Sequence, residues 1–90
     1  MKSNDHKSIE SFQEKLDQEY DWPAQYTFKF IVPKDQKYEV INIFKDHNIS
    51  ERESSQGNYV SFTAKLMAHS SKFVVDYYVK ASKIEGVISL

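Results

Sequence analysis

The alternation of apolar and polar positions divides the chain into a succession of short elements. In the first, Ile9, Phe12, Leu16 and Tyr20 recur at spacings of three, four and four, which sets them on one narrow helical stripe. Ser11 with Glu14 forms a candidate capping box inside it, and Ser8 is a rival start. The helix is predicted to end before Trp22-Pro23, because proline disfavours helical geometry in the residue preceding it. Tyr26, Phe28, Phe30 and Val32 then alternate with Thr27, Lys29 and Ile31, the period of a strand with one buried and one mostly polar face. Residues 34–47 place Tyr38, Ile41 and Phe44 on one face of an amphipathic helix, with Asp35 near its start and His47 near its end in accord with the helix dipole.

Residues 49–55 are too polar for a central strand and suit a charged edge strand, which resists pairing with other sheets. Val60, Phe62, Ala64 and Leu66 alternate with Tyr59, Ser61, Thr63 and Lys65, the clearest strand pattern in the chain. Between the two, Gly57-Asn58 supplies the positive backbone angles of a tight hairpin. Ser70 or Ser71 then caps a helix whose stripe is Phe73, Val74, Tyr77 and Ala81, and Ile84 to Leu90 closes the chain as a strand. The order is helix, then strand, helix, strand, strand, helix, strand. Right-handed crossovers fold that order into an α+β class, a β-α-β-β-α-β sandwich of the ferredoxin-like kind, with a four-stranded antiparallel sheet and an extra N-terminal helix. On this reading residues 1–22 are an acidic amphipathic helical extension and residues 23–90 the domain.

Ninety residues with 40% hydrophobic and 14% aromatic content suit one core and leave no room for a second. The chain has no cysteine, which removes disulfides, thiolate metal sites and a cysteine nucleophile and agrees with a cytoplasmic setting. The N-terminal MKSNDHKSIESFQ lacks the apolar run of a signal peptide, and the longest apolar runs are three residues, which argues against a membrane span. Residues 1–24 carry three Lys against six acids, and residues 25–90 nine Lys or Arg against seven acids. A body so nearly neutral lacks the strong positive field from which most nucleic-acid binders draw their non-specific affinity.

The stretch Ser55-Gln56-Gly57-Asn58-Tyr59-Val60-Ser61-Phe62 has the glycine and aromatics of a strand on which RNA-recognition domains stack bases. Alternation turns Phe62 inward and leaves Tyr59 alone outside, while Tyr26, Phe28 and Phe30 also belong to the core. Without partners on both central strands the stacking platform is missing, and the stretch reads as a turn entering a core strand.

With this layout in place, the chain resembles the YbeD-like family of small bacterial proteins of unassigned function. The resemblance is carried by Trp22-Pro23 before Tyr26-Thr27-Phe28-Lys29, by Ser54-Ser55-Gln56-Gly57-Asn58-Tyr59 with Val60-Ser61-Phe62-Thr63, and by Lys83-Ile84-Glu85. It covers Trp22 to Leu90. It implies the same ferredoxin-like fold and a likeness to ACT-type regulatory domains, which bind small ligands, often amino acids, at dimer interfaces. It brings no catalytic residue. The ACT pattern commonly has glycine in the turn after the first strand, where this chain reads Val32-Pro33-Lys34-Asp35.

Catalytic chemistry finds little purchase. His69, Ser70 and Asp76 include the residue types of a hydrolytic triad, yet adjacent His and Ser cannot supply a positioned base and an oxyanion hole. His6, His47 and His69 have no metal-ligand spacing, and Gly57 and Gly86 stand too far apart for a phosphate loop or a dinucleotide fingerprint. Glu51, Arg52 and Glu53 are neighbours on a strand and so point to alternate faces. No catalytic, cofactor or metal site is therefore expected. The expected role is a small non-catalytic regulatory or adaptor module that binds a small ligand or a protein partner, with a homodimer as one arrangement. An RNA-associated protein of the same topology is the alternative. The candidate surface is the open sheet face with Lys29, Tyr59 and Lys65, among the small residues Thr27, Ser61 and Thr63.

Overall fold

The computed structural model describes residues 2–90, with side chains from residue 8 onward, so His6 falls outside the described side chains. Its elements are α1 (Lys2–Glu19), β1 (Ala24–Pro33), a 3-10 turn (Lys34–Gln36) leading into α2 (Lys37–Ile43), β2 (Ile49–Glu53), β3 (Tyr59–Ala68), α3 (Ser71–Ser82) and β4 (Ile88–Ser89). The strands form one sheet in the order β2-β3-β1-β4, with every pair antiparallel. This is the expected ferredoxin-like sandwich with an added N-terminal helix.

The central pair builds the core. β1 and β3 run in register from Ala24 opposite Ala68 to Pro33 opposite Tyr59, without a bulge. Strict alternation therefore turns Phe28, Phe30 and Val32 to the same side as Val60, Phe62, Ala64 and Leu66, and all seven are buried. Val40 and Phe44 descend on them from α2 and its C-terminal end, and Val74 and Ala81 from α3. Phe44 and Tyr77 stack at 4.9 Å, and Phe28 packs against both. Each such side chain withdrawn from water is worth about 1.5–3 kcal/mol, which is how so short a chain offsets its entropy.

α1 lies against α3. Leu16 is buried, Phe12 and Tyr20 are half-buried, and Ile9 lies at the open margin, so most of the expected stripe packs within the chain. The helix begins at Lys2 and runs through Ser8 and Ser11. Neither serine starts it, because the amides a capping hydroxyl would satisfy are already engaged in the helical ladder. Beyond α1, the Trp22 indole N–H donates to Asp17 Oδ1 at 2.8 Å and its ring stacks on Tyr20, which fixes the entry into β1.

Three expectations are corrected. Tyr38 is 74% exposed and does not share the buried face, which belongs to Val40 and Phe44. The preceding 3-10 turn has about three residues per turn, so it shifts the phase of the short helix relative to a regular one begun at residue 34. The β2–β3 connection spans residues 54–58, closed by Ser54 N–H to Tyr59 O at 2.8 Å and Gly57 N–H to Ser54 O at 2.9 Å. Only Gly57 there has positive φ, at 75°; Asn58 does not, so the turn is wider than the two-residue type. The last strand is two residues long, where Ile84 to Leu90 was expected. Ile84 N–H to Ala81 O and Val87 N–H to Ile84 O carry the chain through turns, and Ile84 is buried in the core before pairing begins.

Candidate functional site

The sheet face turned away from the helices carries the residues that alternation places outward. β1 contributes Gln25, Thr27, Lys29 and Ile31, β3 contributes Tyr59, Ser61, Thr63, Lys65 and Met67, and β2 contributes Ser50 and Arg52. Ile88 and Leu90 flank it on the β4 side, at 49% and 67% exposure. Its cations are Lys29, Arg52 and Lys65, and none of the strand residues just named is acidic. The reason lies in the pleat. Glu51 and Glu53 alternate to the helix side of β2, where Glu51 binds Lys37 and Glu53 binds Lys34, each at 3.1 Å. The Glu51 hydrogen bond and charge hold the Lys37 amine above its ordinary range. Arg52 is left on the other face, and among the described residues no ion pair involves Lys29, Arg52 or Lys65.

A depression of about 510 Å³ crosses β1, β3 and β2, lined by Lys29, Ser50, Arg52, Ser61, Thr63 and Leu90, with Phe30, Glu51 and Phe62 also on its wall. A second hollow of about 170 Å³ adjoins it and brings in Ile31 and Tyr59, with Arg52 and Ser61 common to both. The Ser61 hydroxyl donates to Arg52 O at 3.4 Å, which ties the edge strand to the centre. Of the residues expected from sequence, Lys29 lies in the larger depression and Tyr59 in the smaller. Lys65 lies outside both. It stands opposite Thr27, diagonal to Lys29, at roughly 7–8 Å between backbones. Tyr59 and Lys65 are six residues apart on one strand, roughly 20 Å. Arg52 is not among the residues the sequence singles out for this face, because with Glu51 and Glu53 it gives the stretch the character of a charged edge strand. The period-two pattern starting from half-buried Ile49 would have set Ser50 and Arg52 on the open face.

The arrangement suits carboxylate recognition: a guanidinium and an ammonium flank a floor of three hydroxyls, Ser50, Ser61 and Thr63. Tyr59, at 46% exposure, is the one outward aromatic on β1 and β3. The other residues singled out from sequence lie elsewhere. Ser70 Oγ accepts from Phe73 N–H at 3.2 Å as the helix cap, Asp76 is bound by Lys72 at 3.1 Å, and His69 meets the Phe73 ring edge-on. No hydrogen bond joins His69, Ser70 and Asp76 to one another among the described residues. His47 Nε2 lies 3.4 Å from the Tyr77 hydroxyl. Among the described residues there is no group of three His, Cys, Asp or Glu able to hold a metal ion, and no helix long and apolar enough to cross a membrane.

No match was found among curated proteins or among solved structures. A protein family of unknown function, DUF493, matches residues 17–90, which takes in the last residues of α1 and every strand of the sheet. The YbeD group that the sequence resembles falls within this family. With that span matched and the ferredoxin-like sheet in place, the chain belongs to the DUF493 family of proteins of unknown function.

Proposed function

We propose that the protein is a small non-catalytic regulatory or adaptor module of the cytoplasm, whose open sheet face receives an acidic ligand or an acidic segment of a protein partner. The observation that carries this reading is the placement of Lys29 and Arg52 in one depression, neither of them in an ion pair among the described residues, while the Glu51 and Glu53 carboxylates are bound to Lys37 and Lys34. Cations held apart from counter-ions on a hydroxyl-lined floor favour an incoming carboxylate, and the contact is charge-assisted. The cysteine-free chain supports the compartment. Tyr59 on the same face supports a second reading, an RNA-associated module that stacks a base.

Titration calorimetry with a capped oligoglutamate peptide and with a short single-stranded RNA tests the choice. Wild type should bind the peptide, and Lys29→Ser with Arg52→Ser should weaken it about tenfold without lowering the melting midpoint. Equal affinity in the double variant would refute the face as the site. Salt-dependent RNA binding at lower concentration than the peptide, lost in Tyr59→Ala, would establish the second reading instead.

A further inference from the structure

The two edges of the sheet are treated differently. β2 is a charged edge, with Glu51, Arg52 and Glu53 in succession and two of the three in ion pairs, the usual defence against unwanted strand addition. On the other side β4 shields only part of β1. It pairs at Phe30 and Ile31, and Leu90 N–H reaches Lys29 O at 2.9 Å, but β1 begins at Ala24.

Backbone parity says which groups remain. Lys34 N–H donates to Asn58 O at 2.9 Å, so even-numbered residues of this strand line turn toward β3, and Lys29 O, accepting from Leu90, shows that odd-numbered ones turn toward β4. The bulge-free register carries that parity along the whole strand. Gln25 and Thr27 therefore present their N–H and C=O groups to a side where, among the described residues, no strand lies, and both residues are exposed. Neither is charged, and no bulge twists the edge away. Pro23, without an N–H, bounds it at the start.

We propose that this open half of β1, centred on Gln25 and Thr27, is a strand-acceptor edge that receives an extended protein segment with acidic and apolar side chains in alternation. Backbone hydrogen bonds supply the docking, as in β-augmentation generally. The two faces of the sheet supply the pattern. On the open face the incoming side chains meet Lys29, with Lys65 across from Thr27. On the helix side they meet half-buried Tyr26, whose hydroxyl lies 3.1 Å from that of Tyr78. Tyr78 in turn lines an apolar groove of about 450 Å³ with Ile9, Phe12, Val75 and Val79. The acid preference rests on the cationic face proposed above; the edge itself rests on the backbone geometry.

The probe is a capped peptide of alternating Glu and Val, added to the full chain and followed by amide hydrogen exchange. Exchange at Gln25 and Thr27 should slow about tenfold at saturation. The same peptide with Lys for Glu should bind about tenfold more weakly, Lys29→Glu in the protein should invert that preference, and N-methylation of the peptide's pairing amides should abolish binding. Four results overturn the inference. Binding with side-chain shifts at Lys29 and Arg52 but no protection at Gln25 and Thr27 leaves the face and removes the edge. Equal binding of the Glu and Lys peptides removes the acid preference together with the cationic-face reading. Undiminished binding of the N-methylated peptide removes the backbone pairing. Protection that rises with protein concentration before any peptide is added shows a second copy on the edge.

Discussion

The hydroxyl oxygens of Tyr26 on β1 and Tyr78 on α3 lie 3.1 Å apart, 52 residues distant in sequence, and join the sheet to the helix layer by a polar contact inside an aromatic cluster. Tyr78 also meets Phe12 of α1 at 5.3 Å and Phe28 and Phe30 of β1 at 5.3 and 5.5 Å. One side chain thus links three elements. Aromatic pairs in such arrangements contribute about 0.5–1.5 kcal/mol each beyond area burial.

The burial of Tyr78, with that contact, predicts a fold sensitive to alkali. Burial first, and the hydrogen bond with Tyr26 second, push the Tyr78 phenol well above its ordinary value of 10.0. A group whose folded pKa is raised gives stability that is fully present below its unfolded pKa and is lost as pH climbs toward the folded one. Denaturation midpoints should hold steady up to about pH 10 on this account and fall above it. In Tyr78→Phe the neutral-pH unfolding free energy should drop slightly, by about 0.5–1.5 kcal/mol, and the alkaline decline should flatten. A decline of the same slope in the variant would assign the sensitivity elsewhere.

Ser70, and not Ser71, caps α3 through its bond to the Phe73 amide. Ser70→Ala should cost about 1 kcal/mol in urea denaturation, because it strands an N–H of the first turn. Ser71 is buried at the first helical position, and a smaller loss is expected for Ser71→Ala, since alanine fits that space and favours a helix. The reverse order would contradict the assigned cap.

Gly57 and Gly86 both have positive φ, at 75° and 78°, but their surroundings differ. A Cβ at Gly57 meets nothing within 4 Å, whereas at Gly86 it would lie 2.8 Å from Pro33 Cγ. Gly57→Ala should cost about 1–2 kcal/mol from backbone strain alone, and Gly57→Val more. Gly86→Ala should cost more than Gly57→Ala, and thermal melts of the two side by side measure the gap. A melting midpoint for Gly57→Val equal to wild type would remove the strained turn.

Phe62 and the open-face lysines should separate stability from binding. Phe62 is 2% exposed at the middle of β3, and Phe62→Ala should cost about 3–5 kcal/mol, a large share of the stability of a domain this size. Lys29→Ser with Lys65→Ser should change stability by less than about 0.5 kcal/mol, since both side chains are exposed and unpaired among the described residues. Lys29, which lines the depression, should account for most of any loss of peptide affinity, and Lys65 for little. Single variants titrated with the oligoglutamate peptide check this.

Local pattern determined much of this protein. The alternation of Tyr26 to Val32 and of Val60 to Leu66 set the buried face of both central strands, because a two-residue period admits only one partition once one face must leave water. The element order then restricted the fold, since crossovers have one hand. The edge character of β2 was legible in its charges. Tertiary structure decided the rest. Which face of α2 is buried depended on the 3-10 turn before it, a conformation for which residues 34–36 carry no distinct periodicity. The shortness of β4 followed from turns that place Ile84 in the core and Gly86 against Pro33, contacts between segments far apart in sequence that no local pattern encodes. The candidate site was half legible. Lys29 and Tyr59 followed from alternation on single strands, and alternation from Ile49 also puts Arg52 on this face, but its place beside Ser61 comes from the pairing of β2 with β3, and the open edge at Gln25 and Thr27 exists only because a neighbouring strand stops short. A strand's own residues specify which side chains it shows to each face; which of its backbone groups stay unpaired is a property of its neighbours.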